Sequence, residues 1–203
     1  ERTGAYVGRS AGITTIANCS VDDNFTSIAP KGFANKYIGQ RNTSCTSLTI
    51  DGKEYVDSYY GLNKAISEAI DGTILLVADG THEIGMLDAS QKSITIEGMS
   101  ADNVSVFGSI KIVSQPAEKT FTLKNVTFET TNGQSAAIEL KETKGLVNFY
   151  DCTFKATTDG NKPTGNTTGY ISMTNAVDHI NVEGCTFDNC ASRLGIWGHL
   201  KGN

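Results

Sequence analysis

A short sequence pattern recurs three times in this chain of 203 residues, and it constrains the fold more than any other feature. The copies span residues 121–128, 147–154 and 180–187, and residues 94–99 match as a partial fourth copy. Each copy carries Asn, Asp or Gly at one shared position, at intervals of 27, 26 and 33 residues, and the residues there are Gly98, Asn125, Asp151 and Gly184. Intervals of this size suit one coil of a solenoid with a loop of variable length.

Each copy reads as two strands joined by a sharp bend. Residues 121 and 123 are apolar and alternate, and residues 126 and 128 alternate on the opposite parity. A bend must reset the phase, and Asn, Asp and Gly adopt a left-handed backbone most readily. Both strands then face one interior. We therefore predict an all-β fold, a right-handed parallel β-helix in which Asn125, Asp151 and Gly184 are structural bend residues.

Stacking the coils predicts columns of equivalent side chains about 4.8 Å apart. The interior columns are Met99–Val126–Cys152–Cys185, Phe128–Phe154–Phe187 and Ile96–Leu123–Phe149–Val182. Outside the stack, Glu129, Lys155 and Asp188 should form a solvated ladder of alternating charge. Thr127 is predicted to face outwards in the same repeat.

One short capping α-helix is predicted at about residues 57–70. Its apolar residues recur at helical spacing, and they are Leu62, Ala65, Ile66, Ala69 and Ile70. Asp57 or Ser58 can cap its start, and Gly72 follows its end. Such a helix would cover the open end of the core, so residues 74–77 should form the first full strand.

This opening resembles that of the pectin-lyase-like family of right-handed β-helices. The matching residues are 71–82, with Asp71-Gly72 before an apolar strand, and 93–98, which read Ser-Ile-Thr-Ile-Glu-Gly. The resemblance covers about residues 57–203 and implies a β-helical region over residues 53–203. It implies no single activity, because the family holds lyases, hydrolases, adhesins and phage proteins.

Residues 1–52 form a separate N-terminal segment with a different pattern. Residues 4–13, followed by Ile16 to Val21, resemble a GLUG repeat of bacterial surface proteins. Residues 36–40 and 44–46 resemble a second copy that lacks its Gly-Ile step. We expect this segment to be strand-rich and packed at the capped end of the solenoid.

Composition narrows the function classes. The chain has 21 Gly but only 3 Pro, and its net charge of -5 argues against nucleic acid as a partner. No apolar run approaches the roughly 20 residues of a membrane-spanning helix. Because the chain begins at Glu1, without Met or an apolar secretion segment, we expect a trimmed product. Because Asn203 directly follows a strand pattern, we expect further coils or a partner to cover the C-terminal end of the solenoid.

The cysteines and histidines give weak signals. Cys152 and Cys185 share a repeat position and read as buried thiols, although neighbouring columns also leave a disulfide open. Cys19 and Cys45 are a second candidate pair, and Cys190 is left over. The histidines are expected at the surface or in turns, and they are His82, His179 and His199.

No catalytic or metal-binding set is visible in the sequence. The repeats contain neither paired carboxylates nor a Lys/Arg motif of the lyase kind. Candidate ligand-binding residues are Tyr150, Arg193, Trp197 and His199, since aromatic and cationic side chains can contact a sugar ring. No cofactor is predicted, although calcium is expected if the chain is a lyase.

The favoured function is a non-catalytic module of a bacterial surface or secreted adhesin-type protein, extracellular or at the cell surface, that binds glycans or proteins. One alternative is a fragment of a polysaccharide lyase or glycoside hydrolase with its catalytic residues outside this chain. A further alternative is a structural filament or phage-spike module.

Overall fold

The computed structural model describes residues 10–20, 38, 41–57, 60–100, 103–130, 136–156, 169–188 and 196–200. Within these residues the fold is mostly strand with one short helix, α1 (Leu62–Glu68), and most strand pairs are parallel. The strands are β1 (Ser10–Ile16), β2 (Arg41–Ile50), β3 (Lys53–Val56), β4 (Thr73–Val77), β5 (Gly80–Asp88), β6 (Ile94–Gly98), β7 (Val104–Val113), β8 (Thr120–Lys124), β9 (Thr127–Thr130), β10 (Ile138–Tyr150), β11 (Thr153–Ala156), β12 (Ile171–Glu183), β13 (Thr186–Phe187) and β14 (Ile196–Leu200).

The sequence repeats lie side by side as parallel strands. Strands β6, β8, β10 and β12 pair in that order, and one interior column of opposed residues is Ile96, Leu123, Phe149 and Val182. Strands β9, β11 and β13 form a second ladder, whose opposed residues are Phe128, Phe154 and Phe187. The register predicted from the repeats is confirmed in both ladders.

The bend between the two strands of each repeat is also confirmed. The backbone φ is 60° at Asn125, 52° at Asp151 and 65° at Gly184, all in the left-handed region. Gly98, at the same position of the partial copy, lies in strand β6 without a positive φ. It is needed for a close approach instead, because a Cβ on Gly98 would lie 2.0 Å from the Asn125 carbonyl oxygen.

A large apolar cluster packs between these strands in the described part of the chain. The Phe154 ring stacks on Phe187 with centroids 5.1 Å apart, and it lies 6.4 Å from Phe128. Phe149 meets Phe154 edge-on at 5.8 Å. Burial weakens towards the last repeat, where Val182 is 37% exposed and Phe187 is only partly buried. The predicted interior position is therefore confirmed for Phe128, Phe154 and Phe149, whereas Val182, predicted in the same interior, is exposed.

A second bend, which the sequence analysis did not predict, divides the longer strands. Ser114, Glu142 and Asn175 have φ values of 51°, 51° and 54°, and they follow the paired residues Val113, Lys141 and Thr174. The Ser114 hydroxyl donates to the Glu142 carboxylate at 3.4 Å, and the Asn175 amide donates to the same carboxylate at 3.2 Å. Each repeat thus contains two stacked left-handed corners.

Helix α1 is shorter at both ends than predicted. Its N-cap is Gly61, without a side-chain cap, while the Asp57 carboxylate accepts a hydrogen bond from the Tyr60 amide. At the other end Ala69 is extended and Ile70 is 78% exposed, so including Ile70 in the helix was wrong. The Lys92 ammonium caps this end of the helix, where it donates to the carbonyls of Ile66, Ser67 and Ala69 at 2.6, 2.9 and 3.1 Å. Ser58 lies outside the described residues.

Residues 74–77, predicted as the first full strand of the repeat stack, lie in β4, and the N-terminal strands extend the same sheet before it. Strand β1 pairs with β2 in parallel, and β2 forms an antiparallel hairpin with β3 through Asp51 and Gly52, whose φ values are 49° and 77°. Strand β3 then pairs with β4 in parallel. A second apolar cluster joins these segments, and its buried residues are Ile16, Ile38, Leu48, Ile50, Tyr55, Leu76 and Ala78.

Three outward or inward assignments need correction. Met99 packs against the second cluster and not in the column of Val126. Thr127 is only 8% exposed, whereas Thr153, at the equivalent position of the next repeat, is half-buried. Glu129 forms an ion pair with Lys155 at 3.2 Å and its side chain is largely buried, so the charge ladder is not fully solvated.

Candidate functional site

The outer face of strands β6, β8, β10 and β12 carries a polar surface in regular columns. Successive side chains of a strand point to opposite faces of the sheet, so the side chains between the core positions point away from the apolar cluster. Strand register places them in two columns, namely Thr95–Thr122–Asn148–Asn181 and Glu97–Lys124–Tyr150–Glu183. We call these eight residues the outer face. The signal for it was present in the sequence, because the second position of every repeat is Thr or Asn.

Hydrogen bonds link the first column into a ladder across three strands. The Asn181 amide donates to the Asn148 side-chain oxygen at 2.9 Å, and the Asn148 amide donates to the Thr122 hydroxyl at 3.1 Å. Asn148 is therefore buried although it lies on the outer face, whereas Asn181 is exposed. The ladder fixes the side-chain rotamers and presents Asn181 at its open end, so a ligand meets a polar group that is already ordered.

Tyr150 is the aromatic residue of the outer face. It ends strand β10, half-buried, opposite Lys124 on one side and Glu183 on the other. Its carbonyl accepts the Asn125 amide at 2.9 Å, which ties its backbone to the corner of the preceding repeat. A tyrosine held in this way offers an apolar ring and a polar hydroxyl to a ligand.

The charges of the second column are partly neutralised by lysines. The Glu97 carboxylate lies 2.8 Å from the Lys53 ammonium and 3.7 Å from that of Lys124. Glu183 lies on the same column two strands beyond Lys124. The outer face therefore carries both signs of charge.

The second apolar cluster sets one border of the outer face. Tyr55 and Leu76 precede Glu97 in the same column, and both are buried under the N-terminal strands. From Glu97 onwards the column is polar. The N-terminal segment thus covers the outer side of β3 and β4 and leaves the outer face open beside it.

The structure does not gather the predicted ligand-binding residues into one place. Strand β14 contains Trp197 and His199, and Trp197 pairs with Ser172 of β12. Ser172 itself pairs with Glu139 near the start of β10, while Tyr150 ends that strand. Tyr150 and Trp197 therefore lie at opposite ends of the β10–β12 ladder. Arg193 and Cys190 lie outside the described residues.

A second polar feature is His82, beside a cavity of about 390 Å³ lined by Gly61, Leu62, Thr81, His82 and Glu83. His82 is 4% exposed, so the expectation of a surface position was wrong for it, whereas His179 is exposed. The His82 Nε2 atom lies 2.8 Å from the Ala78 carbonyl oxygen. Burial lowers the pKa of the imidazole, against the opposing effects of that hydrogen bond and of Asp57.

His82 is suited to a structural role. When Nε2 donates to Ala78, the neutral ring leaves Nδ1 as an acceptor. That Nδ1 atom is closed off from solvent and has no hydrogen-bond partner within the described part of the chain. A ligand in the cavity cannot reach it, and we assign no acid–base function to this histidine.

Two further features of the described residues concern metal-binding clusters and membrane-spanning helices. None of their His, Cys, Asp and Glu side chains form a group of three or more that could hold a metal ion. In the same part of the chain, no helix has the length and apolarity to cross a membrane. Comparison with known proteins gives no match to any family model, curated protein or solved structure.

Proposed function

We propose that the chain is a non-catalytic binding module that recognises glycans through its outer face. The observation that carries this proposal is the ordered Thr122–Asn148–Asn181 ladder beside Tyr150. Amide and hydroxyl groups donate to and accept from sugar hydroxyls, and an aromatic ring stacks on the apolar face of a pyranose. The ladder repeats at the strand spacing of about 4.8 Å, so several groups can contact successive sugars.

For the fold we propose a right-handed parallel β-helix of the pectin-lyase-like kind, with a GLUG-like N-terminal segment over residues 1–52 and the solenoid over residues 53–203. In-register pairing of successive repeats supports it, as do the two stacked corners in each repeat. Parallel strands joined by crossovers are almost always right-handed, which supports the proposed hand.

We place the module outside a bacterial cell, as part of a surface or secreted adhesin-type protein. The GLUG-like residues 4–13 support this location, and the mixed charges of the outer face suit a neutral glycan in an aqueous exterior. Further coils or a partner would cover the last repeat, whose Val182 and Phe187 are only partly buried.

The test is retardation of the full chain in native gels that contain soluble polysaccharides. The panel holds a β-glucan, a xylan, a galactomannan and polygalacturonate. We expect retardation by at least one neutral polysaccharide. Tyr150→Ala should weaken binding about two- to tenfold, since stacking contributes roughly 0.5–1.5 kcal/mol, and Tyr150→Phe should retain most of the affinity.

Two controls separate the outer face from general surface effects. Asn181→Ala should weaken binding because it removes the exposed end of the ladder, whereas Asn103→Ala, at an exposed turn away from the outer face, should not. Equal retardation of Tyr150→Ala and the parent would contradict the proposal. Release of unsaturated uronate from polygalacturonate, abolished by a chelator, would instead support the lyase alternative with calcium as its cofactor.

A further inference from the structure

Two cysteines of successive repeats lie directly opposite each other. Tyr150 pairs with Glu183 and Thr153 pairs with Thr186, so Cys152 and Cys185 between them share one register. The backbone hydrogen bond from the Thr186 amide to the Cys152 carbonyl, at 2.8 Å, fixes this alignment. Neighbouring strands lie about 4.8 Å apart, and that spacing is within the Cα separation of roughly 4.4–6.8 Å found in disulfides.

The two thiols differ in their access to solvent. Both are free in the structure. Cys152 is buried in the main apolar cluster, and its sulfur lies 3.3 Å from the Tyr150 carbonyl oxygen. Cys185 is only partly buried, and among the described strands its neighbour β13 pairs with β11 alone. A reagent in solution can therefore reach Cys185 and not Cys152.

The two thiols are also chemically unequal. The neighbouring Cys152 side chain lowers the pKa of the Cys185 thiol to about 7, against the opposing effects of burial and of the Asp151 carboxylate. The Cys185 side chain, together with burial, raises the pKa of Cys152. The reachable thiol is thus the one that ionises near neutral pH, and the thiolate is the nucleophilic form.

We propose that Cys152 and Cys185 form a redox-active dithiol, in which Cys185 attacks small disulfides such as oxidised glutathione and Cys152 resolves the product. This assignment is independent of the proposed glycan binding. It gives the last repeat a covalent state in which strands β11 and β13 are linked next to their shared corner.

The chemistry balances in two exchanges. First, the Cys185 thiolate attacks one sulfur of glutathione disulfide. A bond forms between that sulfur and the Cys185 sulfur, and the sulfur–sulfur bond of glutathione disulfide breaks. The other glutathione leaves as a thiolate and takes up a proton. The Cys152 thiol then loses its proton and attacks Cys185, which releases the second glutathione. The two cysteines are oxidised to a disulfide, and one glutathione disulfide is reduced to two thiols.

The first exchange also removes the obstacle to the second. The Cys185 side chain raises the pKa of Cys152 and so favours its protonated form, whereas a Cys185 that is bonded to glutathione is no longer an anion. The buried thiol then needs to cover only the spacing of adjacent strands.

The test uses the full chain with Cys19, Cys45 and Cys190 replaced by serine, treated with oxidised glutathione at neutral pH. Intact mass spectrometry with peptide mapping should show loss of two hydrogens and a cross-link between the peptides of Cys152 and Cys185. In the same background, Cys152→Ala should retain one glutathione on Cys185. Cys185→Ala should remain unmodified while folded.

The contrary outcomes are equally clear. A glutathione that persists on Cys185 in the dithiol protein would overturn the resolving role of Cys152. Modification of Cys152 in folded Cys185→Ala would overturn the assignment of Cys185 as the attacking thiol. No reaction of the dithiol protein would overturn the redox activity of the pair. A thermal melt of each variant establishes that it is folded, and Cys152→Ser replaces Cys152→Ala if the alanine variant does not fold.

Discussion

Asn125→Val tests the corner on which the repeat architecture depends. Asn125 holds φ at 60°, where a residue with a Cβ is strained by about 1–2 kcal/mol and a β-branched residue by more. Its side-chain amide also donates to the Gly98 carbonyl at 3.3 Å, a partly buried bond that contributes about 0.5–1.5 kcal/mol. Valine loses that bond and adds the strain, so we expect destabilisation of about 2–3 kcal/mol.

Asn125→Gly separates the two contributions. Glycine has no Cβ and adopts the left-handed backbone without strain. The variant nevertheless loses the side-chain hydrogen bond, and its unfolded state is more flexible. These effects largely offset each other, and we expect a change within about 1 kcal/mol. The difference between the valine and glycine variants therefore measures the backbone strain at this corner.

Thr153→Val is the matched control, because it introduces the same residue into a strand. Thr153 is half-buried at the start of β11. Its backbone amide donates a hydrogen bond to the Val126 carbonyl at 3.0 Å, and a valine at this position retains that bond. Valine suits a strand, so this variant should melt close to the parent. Thr127, at the equivalent position of the preceding repeat, is unsuitable because it is buried.

Thermal melts followed by far-ultraviolet circular dichroism decide the matter. For a chain of this length 1 kcal/mol corresponds to a shift of about 2–4 °C, so Asn125→Val should melt roughly 5–10 °C below the parent. If Asn125→Val melts with the parent, as the control Thr153→Val should, the chain has no left-handed corner at Asn125 and the repeat register proposed for residues 121–154 is wrong.

Three further changes test other parts of the molecule. Phe154→Ala should destabilise by about 3–5 kcal/mol in urea unfolding, whereas Lys155→Gln, next to it but on the outside, should change stability by less than about 1 kcal/mol; equal effects would contradict the inside–outside assignment. Lys92→Met should lose hydrogen-exchange protection in the last turn of α1, because three carbonyls lose their donor; unchanged protection would refute that role. Because burial lowers the pKa of His82 in the folded chain, the contribution of His82 to stability is complete above the unfolded pKa of about 6.5 and falls as the pH drops below that value. In urea unfolding at a series of pH values, His82→Gln should remove this dependence of the unfolding free energy on pH, and His179→Gln should not.

The first corner and its register were predictable because their physics is local. A left-handed residue selects Asn, Asp or Gly, so the same few residue types recur at Asn125, Asp151 and Gly184. The hairpin at Asp51 and Gly52 carries an equally local signal, since an Asp-Gly pair between strand-like runs favours a tight turn. It was overlooked because residues 1–52 were assigned to a separate segment.

The second corner could not be predicted in this way. Its residues share no chemical type, and Glu142 is not a residue that favours a left-handed backbone. Glu142 is stabilised there by its neighbours, because its carboxylate accepts hydrogen bonds from Ser114 and Asn175 in the adjacent repeats. Stacking therefore determines this corner, and a single repeat read alone gives no sign of it.

The position of the outer face follows from a change of residue type along one column. Tyr55 and Leu76 are apolar and draw the N-terminal strands over them, whereas the next residue, Glu97, is charged and held by Lys53 and Lys124. Covering Glu97 with apolar side chains would bury an ion pair, which is unfavourable unless every group is satisfied. The N-terminal segment therefore ends its cover at β4, and the surface from Glu97 to Glu183 remains available to a ligand.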